Sequence, residues 1–280
     1  MIIKEKQTRL TKTEIARKLG CSRGSLYYKK KIPSKDLQMK EEIRKVMKDN
    51  PAYGHKRIAM ELKLNKKRIL RVMNKFGLKP YRRRPKKPNK PDDQNKQPTI
   101  YPNLIKYFCP IRPNVVWVAD FTYIYFGGIF IYLATIEDRF TRKIVGFNIG
   151  SRHTKELVCA AFNNALRDCD QAPTYHHCDQ GSEYDSTEYL DLLKRENIKI
   201  SMSKKASPWE NPHKESYYSN FKLDLGHTDQ FETLGELINA IYQTIYYYNN
   251  KRIHTKLKMS PQRFIEQYNL KNKLTRRQLV

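Results

Sequence analysis

The chain contains 280 residues, enough to bury a sizeable core, and its 55 Lys and Arg outnumber its 28 Asp and Glu to give a net charge of +27. This excess is larger than solubility requires, so the expected partner is a polyanion. The apolar stretches are too short to cross a bilayer, the five cysteines lack paired spacing and there is no signal peptide. These features exclude a membrane-spanning protein and a disulfide-stabilised secreted protein, and they predict a cytosolic location.

The positive charge is concentrated in the N-terminal part of the chain. Residues 1–98 contain 31 basic and 9 acidic side chains, a net charge of +22, whereas residues 99–280 contain 24 and 19, a net charge of +5. We therefore expect the first part to bind phosphate groups and the second part to have acidic side chains available for another purpose.

Residues 1–32 are predicted to form a first helix-turn-helix unit. Thr11 and Glu14 have capping-box spacing, and Ser22 can cap a second short helix after a turn. The side chains expected to point outward from that second helix toward a DNA groove are Arg23, Ser25 and Lys29. An ordinary helical hairpin is the alternative, and the basic flank favours the DNA-binding interpretation.

Residues 33–80 are predicted to form a second helical DNA-binding unit, also of helix-turn-helix type. A helix with apolar residues at helical spacing precedes Pro51, and Asn65 can cap a further helix that Gly77 closes. The basic side chains in the first two turns of this further helix are Lys66, Lys67, Arg68 and Arg71. A solvated basic face is the alternative interpretation of each of them.

Residues 81–100 are predicted to be a basic, Pro-rich linker, because a charged stretch with almost no apolar side chains cannot bury a core. Its basic side chains could also follow a phosphate backbone and add affinity that depends on salt but not on sequence. These side chains are Arg82, Arg83, Arg84, Lys86 and Lys87.

Residues 101–230 have the pattern of a mixed α/β domain. The stretch 114–150 is rich in β-branched and aromatic residues, with turn signals at 127–128 and 137–143, which predicts three antiparallel strands. Helices and strands then alternate, which is typical of one central sheet covered by helices. Residues 231–280 are predicted to form a helical extension of this domain.

Three acidic residues are candidates for one site. Asp120 shares parity with apolar residues of the first strand, so it should face a helix-covered surface, where a lone carboxylate is costly unless paired or metal-bound. Asp179 follows a short strand, at the edge where sites form in open α/β sheets, although an ordinary turn would also suit it. Glu215 falls in the first turn of a helix that begins at Pro212, where it could simply complement the helix dipole.

Carboxylates from two strands and one helix start can converge on a single edge of a sheet. Hard oxygen ligands of this kind suit Mg²⁺ or Mn²⁺, which phosphodiester chemistry uses to activate water and to stabilise the leaving oxygen. Glu215 and Lys222 share one helix face, roughly 10 Å apart along the axis, so the lysine could meet a phosphate. The loop before this helix could hold a DNA strand or be an ordinary surface loop. Its basic and aromatic residues are Lys204, Lys205, Trp209 and Lys214.

Four stretches follow one another along the chain: "WVADFTYI", "HHCDQGSEY", "SMSKKASPWENPHKESYYSNFK" and "YYNNKRIHTKLKMSPQRF". They resemble the successive blocks of bacterial insertion-sequence transposases whose core is shared with retroviral integrases, and the resemblance runs from about residue 53 onward. It implies an RNase H-like core in which Asp120, Asp179 and Glu215 match the catalytic Asp, Asp and Glu, with 35 residues between the last two. It also matches Lys222 to the lysine that follows the glutamate in this family.

The chain departs from the family pattern at four positions, where Thr, Ser, Asp and Ala are more usual. These positions are Ala119, Cys178, Glu210 and Pro212. None of these differences removes a metal ligand, so they concern the subgroup and its end sequences rather than catalysis.

The function that the resemblance implies is DNA transposition. Two divalent ions, Mg²⁺ or Mn²⁺, would be held by the three acids, and the enzyme would carry out 3′-end cleavage and strand transfer. The expected partners are double-stranded DNA and further copies of the chain, because two DNA ends must be handled together. A protein from an upstream reading frame, which many relatives carry, is a possible further partner, because this chain starts at Met1 without that segment.

Two alternatives remain at this point. The first is a DNA-binding regulator with a catalytically silent core, which the presence of all three acids argues against. The second is a nuclease that cuts without joining. The N-terminal charge and the two helix-turn-helix units argue against it, because a simple nuclease has no need for end recognition.

Overall fold

The computed structural model describes residues 11–27, 32–82, 101–169, 171–204 and 211–278. Within these ranges the fold is mixed α/β, as predicted, with a five-stranded sheet that carries helices on both faces. Nearly all of the predicted linker, 83–100, lies outside the described residues. In the described part of the chain, no helix is both long enough and apolar enough to cross a membrane.

The helices and strands agree closely with the periodicity of the sequence. The helices are α1 Lys12–Lys18, α2 Ile32–Asp49, α3 His55–Glu61, α4 Lys66–Lys75, α5 Lys155–Asp168, α6 Thr187–Arg195, α7 Pro212–Leu225, α8 Leu234–Asn250 and α9 Pro261–Gln278. The strands are β1 Val116–Phe126, β2 Ile129–Asp138, β3 Ile144–Gly150, β4 Tyr175–Cys178 and β5 Lys199–Met202.

The sheet has the strand order β3-β2-β1-β4-β5. The first three strands are antiparallel, as predicted, and β4 and β5 run parallel to β1. A two-residue turn joins β1 to β2, and both of its residues, Gly127 and Gly128, have positive φ, which side chains disfavour and glycine adopts readily. Both neighbours of β4 are strands, so its carboxyl end lies inside the sheet and not at its margin.

Two hydrophobic cores lie on opposite faces of the sheet. On one face α5 and α6 bury Phe162 and Leu193 against Trp117 and other residues of odd parity in β1. On the other face α7 and α8 pack against Ile124 and Leu133. Since side chains alternate along a strand, the even-numbered residues of β1 face the α7 side, and Asp120 is one of them.

Gly146 of β3 allows the close approach of α5. A Cβ atom at this position would lie 2.5 Å from both Ala161 O and Ala165 Cβ. We expect Gly146→Ala to lower the free energy of unfolding by about 2 to 3 kcal/mol, because helix backbone cannot move aside as a flexible side chain can. Chemical denaturation would measure this change.

Gly235→Ala is the matched control for this substitution, because among the described residues only Thr233 Oγ1, at 3.8 Å, lies within 4 Å of its added Cβ. The control should leave stability unchanged or raise it by about 0.5 kcal/mol. Equal effects of the two substitutions would contradict the packing of α5 on β3.

The N-terminal residues form α1 and a 3₁₀ helix, Arg23–Tyr27. The predicted capping box is confirmed: Thr11 Oγ1 accepts from the N–H of Glu14, and Glu14 Oε2 accepts from the N–H of Thr11. Ser22 Oγ accepts from the N–H of Ser25, which confirms it as a cap. The helix that it caps is 3₁₀ over the described residues, where the sequence predicted a recognition helix.

Helices α2, α3 and α4 share a hydrophobic core, and Asn65 Oδ1 caps α4 by accepting from the N–H of Lys67 at 2.8 Å, as predicted. This core also includes Ile253, from the turn after α8. Arg57 Nε donates to the carbonyl oxygen of Ile253 at 3.1 Å, and the N–H of Ile253 donates to Tyr53 Oη at 2.7 Å. The helical unit therefore packs directly on the C-terminal extension of the α/β domain.

Candidate catalytic site

Asp120 lies within β1, and Asp179 follows the carboxyl end of the neighbouring strand β4. Strands β1 and β4 pair in parallel with Val116 opposite Tyr175 and Val118 opposite His177. The same register, continued two residues beyond the last pair, would place Asp179 opposite Asp120. The carboxyl-end position predicted for Asp179 is confirmed, because β4 ends at Cys178.

Backbone N–H groups orient both aspartates. Asp120 Oδ1 accepts from the N–H of Phe121 at 2.8 Å, and Asp179 Oδ1 accepts from the N–H of Gly181 at 3.0 Å. A Cβ atom on Gly181 would lie 3.1 Å from Asp179 Oδ1 and 2.7 Å from Glu183 Oε2. A side chain at Gly181 would therefore displace the carboxylate of Asp179.

Glu183 and His153 form a polar pair beside Asp179 that the sequence did not predict. Glu183 is buried, and its Oε1 lies 2.5 Å from His153 Nδ1. The ring of His153 stacks on Phe121, the neighbour of Asp120, with 5.9 Å between the ring centroids. The stretch "DQGSEY" was the available signal, but the partner of Glu183 lies 30 residues earlier in the chain, where no local pattern indicates it.

Glu215 is exposed in the first turn of α7. The helix begins at Pro212, as predicted, although the side chain of Asn211 makes no capping hydrogen bond. One turn beyond Glu215, Tyr218 Oη donates to the backbone carbonyl of Asp120 at 2.5 Å and lies 2.9 Å from Thr135 Oγ1. These contacts fix the start of α7 beside the strand that carries Asp120.

The three acids do not form a metal-binding cluster in the structure. Among the described residues, no group of three or more His, Cys, Asp or Glu side chains is arranged to hold a metal ion. The pairing of β1 with β4 places Asp120 and Asp179 on neighbouring strands. Glu215 lies on α7, which contacts β1 through Tyr218.

Lys214 does not lie on the surface, so its prediction as a DNA contact is wrong. Its side chain is fully buried, and its Nζ donates to both Thr135 O and Thr135 Oγ1 at 2.8 Å. The reason is that α7 has already begun at Pro212, so Lys214 falls on the helix face that also carries Tyr218 and points inward. Burial lowers the pKa of Lys214 to about 8, and the nearby carboxylates of Glu137 and Asp120 oppose that shift.

Lys204 and Lys222 remain on the surface. Lys204 follows β5 and is exposed, and Lys222 is partly exposed, with its Nζ 4.8 Å from the ring centroid of Tyr123. Lys205 and Trp209, the other members of the predicted DNA-binding loop, lie outside the described residues.

The predicted DNA-binding residues of the N-terminal part have different surroundings. The exposed ones within the described residues are Arg23, Ser25, Lys66, Lys67, Arg68 and Arg82. Arg71 is half-exposed but binds the buried Asp36 through both Nη atoms, at 2.9 and 2.5 Å. Its guanidinium therefore has a structural role in joining α4 to α2. The residues of this set that lie outside the described ranges are Lys29, Arg83, Arg84, Lys86 and Lys87.

Sequence families match most of the α/β region. Residues 110–208 match a family described as an integrase core domain, and residues 196–261 match a second family with the same description. Among solved structures, the catalytic core domain of HTLV-2 integrase in complex with magnesium is 18% identical, with a TM-score of 0.47 over 55% of this chain and 97% of that one. The simian T-cell lymphotropic virus intasome in complex with PP2A regulatory subunit B56 gamma is 16% identical, with a TM-score of 0.49 over 79% of this chain and 73% of that one.

Known proteins similar to this chain along most of its length come from insertion sequences. The transposase for insertion sequence element IS904 of Lactococcus lactis subsp. lactis (strain IL1403) is 34% identical over 240 residues, which span 82% of this chain and 94% of that protein. The insertion element IS600 31 kDa protein of Shigella sonnei is 33% identical over 83% of this chain and 89% of its own length. The putative transposase InsK for IS150 of Escherichia coli (strain K12) is 28% identical over 88% of this chain and 89% of its own. With this likeness along nearly its whole length, the chain belongs to the insertion-sequence transposases that have a retroviral integrase-like core.

Proposed function

We propose that this transposase binds the ends of a mobile element, cleaves the 3′ ends of the element and joins them to target DNA. The observation that carries the proposal is the parallel pairing of β1, which contains Asp120, with β4, whose carboxyl end is followed by Asp179. The helix that bears Glu215 is held against the same strand by the hydroxyl of Tyr218. The similarity of the chain to insertion-sequence transposases also supports the proposal.

The donor atoms of these three residues fit a divalent cation. Asp120, Asp179 and Glu215 would hold Mg²⁺ or Mn²⁺, with two ions expected, because carboxylate oxygens are the ligands that these hard ions prefer. When bound, such ions lower the pKa of a water molecule and neutralise charge on the oxygens of the phosphodiester. The N–H groups of Phe121 and Gly181 hold the carboxylates in orientation before any ion arrives.

The proposed reaction has two steps, and the number of phosphodiester bonds stays the same in the second. In the first step water displaces the 3′ oxygen from a phosphodiester at the element end, which frees a 3′-hydroxyl group. In the second step that hydroxyl attacks a phosphodiester of the target, so one P–O bond forms as another breaks. No covalent intermediate with the protein is required, and no external energy source enters.

DNA binding is assigned to the basic N-terminal region and to lysines beside the carboxylates. We expect both helical units and the basic stretch after Tyr81 to contact phosphates, with Lys204 and Lys222 holding the DNA close to the carboxylates. Handling two ends at once requires a dimer or larger assembly. The enzyme would work on DNA in the bacterial cytosol, alone or with a protein encoded by an upstream reading frame.

A DNA-binding regulator with a silent core is the second candidate. One observation favours it: within the described residues the carboxylates are not already arranged as a three-ligand metal site. In the transposase interpretation, Glu215 would hold the metal together with the two aspartates when DNA is bound. The two candidates therefore differ in what the wild-type protein does to bound DNA.

The deciding experiment uses the full chain and a labelled duplex that spans the inverted repeat flanking its gene. We expect nicking at the repeat boundary and joined products when Mg²⁺ is present, and neither when the metal is chelated. Tight binding without nicking, also after addition of any upstream-frame protein, would favour the regulator. Nicking without joined products would identify a nuclease.

A further inference from the structure

A pocket of 420 Å³ lies on the side of α7 that faces away from Glu215. Residues of α7 at i, i+3, i+4 and i+7 line it, from His213 to Asn220, and Glu215 lies about 160° around the helix from His213. The remaining walls come from α3, from the β2–β3 turn, and from α8 and the turn after it. The pocket is therefore separate from the carboxylate edge but shares a helix with it.

Positive charge dominates the walls of this pocket. Arg57, Arg142, Arg252 and Lys256 line it, whereas Glu137 is the one acidic residue among its lining residues. Arg252 is fully buried, where Asp224 and Asn220 bind it, and Arg142 is also buried, with its Nη1 3.6 Å from Glu137 Oε1. Each of these two buried guanidinium groups has a carboxylate partner, so the net positive charge at the pocket comes mainly from Arg57 and Lys256.

Several buried polar atoms of the lining residues have no hydrogen-bond partner within the described part of the chain. They are Arg142 Nη1, Tyr217 Oη and His254 Nδ1, each of which can donate a proton, and Glu137 Oε2, which can only accept one. Donors therefore outnumber the acceptor by three to one. Arg142 and Tyr217 are more than nine-tenths buried. Unpaired donors of this kind are costly in a protein interior, so their clustering around one pocket indicates an acceptor that comes from outside.

The acceptor that fits is a phosphodiester anion. Guanidinium groups and neutral donors bind phosphate oxygens, and the volume exceeds that of a phosphate alone, so an adjoining sugar can enter with it. The exposed residues Ser216, Thr255 and Lys256 form part of the lining, so the pocket is open to a polymer.

We propose that this pocket binds one backbone phosphate of the element-end DNA. The proposal rests on the proposed function, because it takes DNA to be the partner. Arg57 belongs to α3 of the helical unit, whereas Arg142 and Ser216 belong to the α/β domain. A phosphate bound between them would contact both the helical unit and α7. Binding of the element end would therefore help to fix the position of α7, the helix that carries Glu215.

The first test compares two lysines of the same turn. Lys256 lines the pocket and Lys258 does not, and both are exposed, so Lys256→Glu and Lys258→Glu change the net charge equally. We expect Lys256→Glu to weaken binding of a fluorescent element-end duplex about tenfold and to reduce the salt slope by about 1, with Lys258→Glu within about twofold of wild type. Ser216→Asp, which places a negative charge at the pocket, should reproduce the loss. Equal effects of the two lysine substitutions would overturn the proposal.

A local probe separates the possible sources of the phosphate. The ring of His254 can be followed by NMR in the full chain with ¹³C-labelled histidine, and a His254→Gln variant identifies its signal. We expect the signal to shift with the duplex, and with inorganic phosphate at higher concentration. A shift with inorganic phosphate but not with the duplex would assign the pocket to a free phosphate and reject the DNA contact.

The two proposals fail in different ways. If the wild-type protein nicks the duplex while the His254 signal does not move with either probe, the pocket assignment is wrong and the proposed function stands. If the protein neither binds nor nicks the duplex, the proposed function itself is wrong.

Discussion

Replacing Asp120, Asp179 or Glu215 by its amide is expected to reduce strand cleavage about 10³-fold while leaving DNA binding within about twofold. Each amide keeps the size of the side chain and removes a negative charge that a divalent cation needs. If that loss weakens charge stabilisation in the transition state by about 4 kcal/mol, the rate falls by about three powers of ten. Single-turnover nicking of the labelled duplex would measure the rate, and a mobility-shift titration would measure binding.

The double variant Asp120→Asn/Asp179→Asn tests whether the two aspartates act at one site. Because the two aspartates come from adjacent parallel strands and would share one metal site, we expect the double variant to be little slower than either single variant. If the rate reductions of the two single variants multiply in the double variant, the two aspartates act independently. In the absence of DNA, Mg²⁺ should raise the melting temperature of the wild type and not that of the double variant.

Glu210→Gln is the matched control, with the same chemical change five residues before Glu215. It should nick at the wild-type rate, because the family resemblance assigns no ligand role to Glu210. Equal losses in Glu210→Gln and Glu215→Gln would contradict the assignment of Glu215. Normal cleavage by all three single amide variants would show that Asp120, Asp179 and Glu215 are not catalytic.

Much of this edge could be predicted from the sequence, because local patterns determine it. Alternation in β1 gives the face of Asp120, and the glycine pair gives the hairpin that follows. The short strand before Asp179 predicts a carboxyl-end position, and Pro212 predicts where α7 begins. In each case the signal lies within a few residues of the feature, so no long-range information is needed.

Contacts between distant parts of the chain could not be predicted in this way. The hydrogen bond from Arg57 to Ile253 joins residues 196 positions apart, and the bond from Lys214 to Thr135 joins residues 79 apart. Periodicity does not reveal such partners, since it reports which face of an element is buried and not what covers that face. The pocket beside α7 depends on contacts of this kind.

Lys214 shows how a charged residue can be misassigned for this reason. In the sequence it follows a basic, aromatic loop, and lysines are seldom fully buried, so a surface position was the natural expectation. In the structure its Nζ lies 5.5 Å from the ring centroid of Tyr217 and 5.8 Å from that of Tyr218. The lysine therefore joins α7 to β2 through Thr135, the residue paired with Asp120.

Lys214→Met is expected to lower the free energy of unfolding by about 3 kcal/mol. The substitution keeps the apolar stem but leaves Thr135 O without its donor and removes a positive charge near the buried Glu137. Removing one member of a buried set of charges is costly, because the remaining charge stays desolvated. Chemical denaturation would measure the loss, and the salt slope of DNA binding by the folded variant should remain that of the wild type.

Lys222→Met on the same helix is the matched control. We expect it to change the salt slope of DNA binding and not the stability. Its side chain is partly exposed, so stability should change by less than about 1 kcal/mol. If Lys222 contacts a DNA phosphate, the salt slope should fall by about 1 in this variant. A reduced salt slope in a fully folded, stable Lys214→Met protein would show that Lys214 reaches DNA, and the buried assignment would then be wrong. If only Lys214→Met loses stability, the buried hydrogen bonds of Lys214 stabilise the packing of α7 against β2, the strand that pairs with β1 at Asp120.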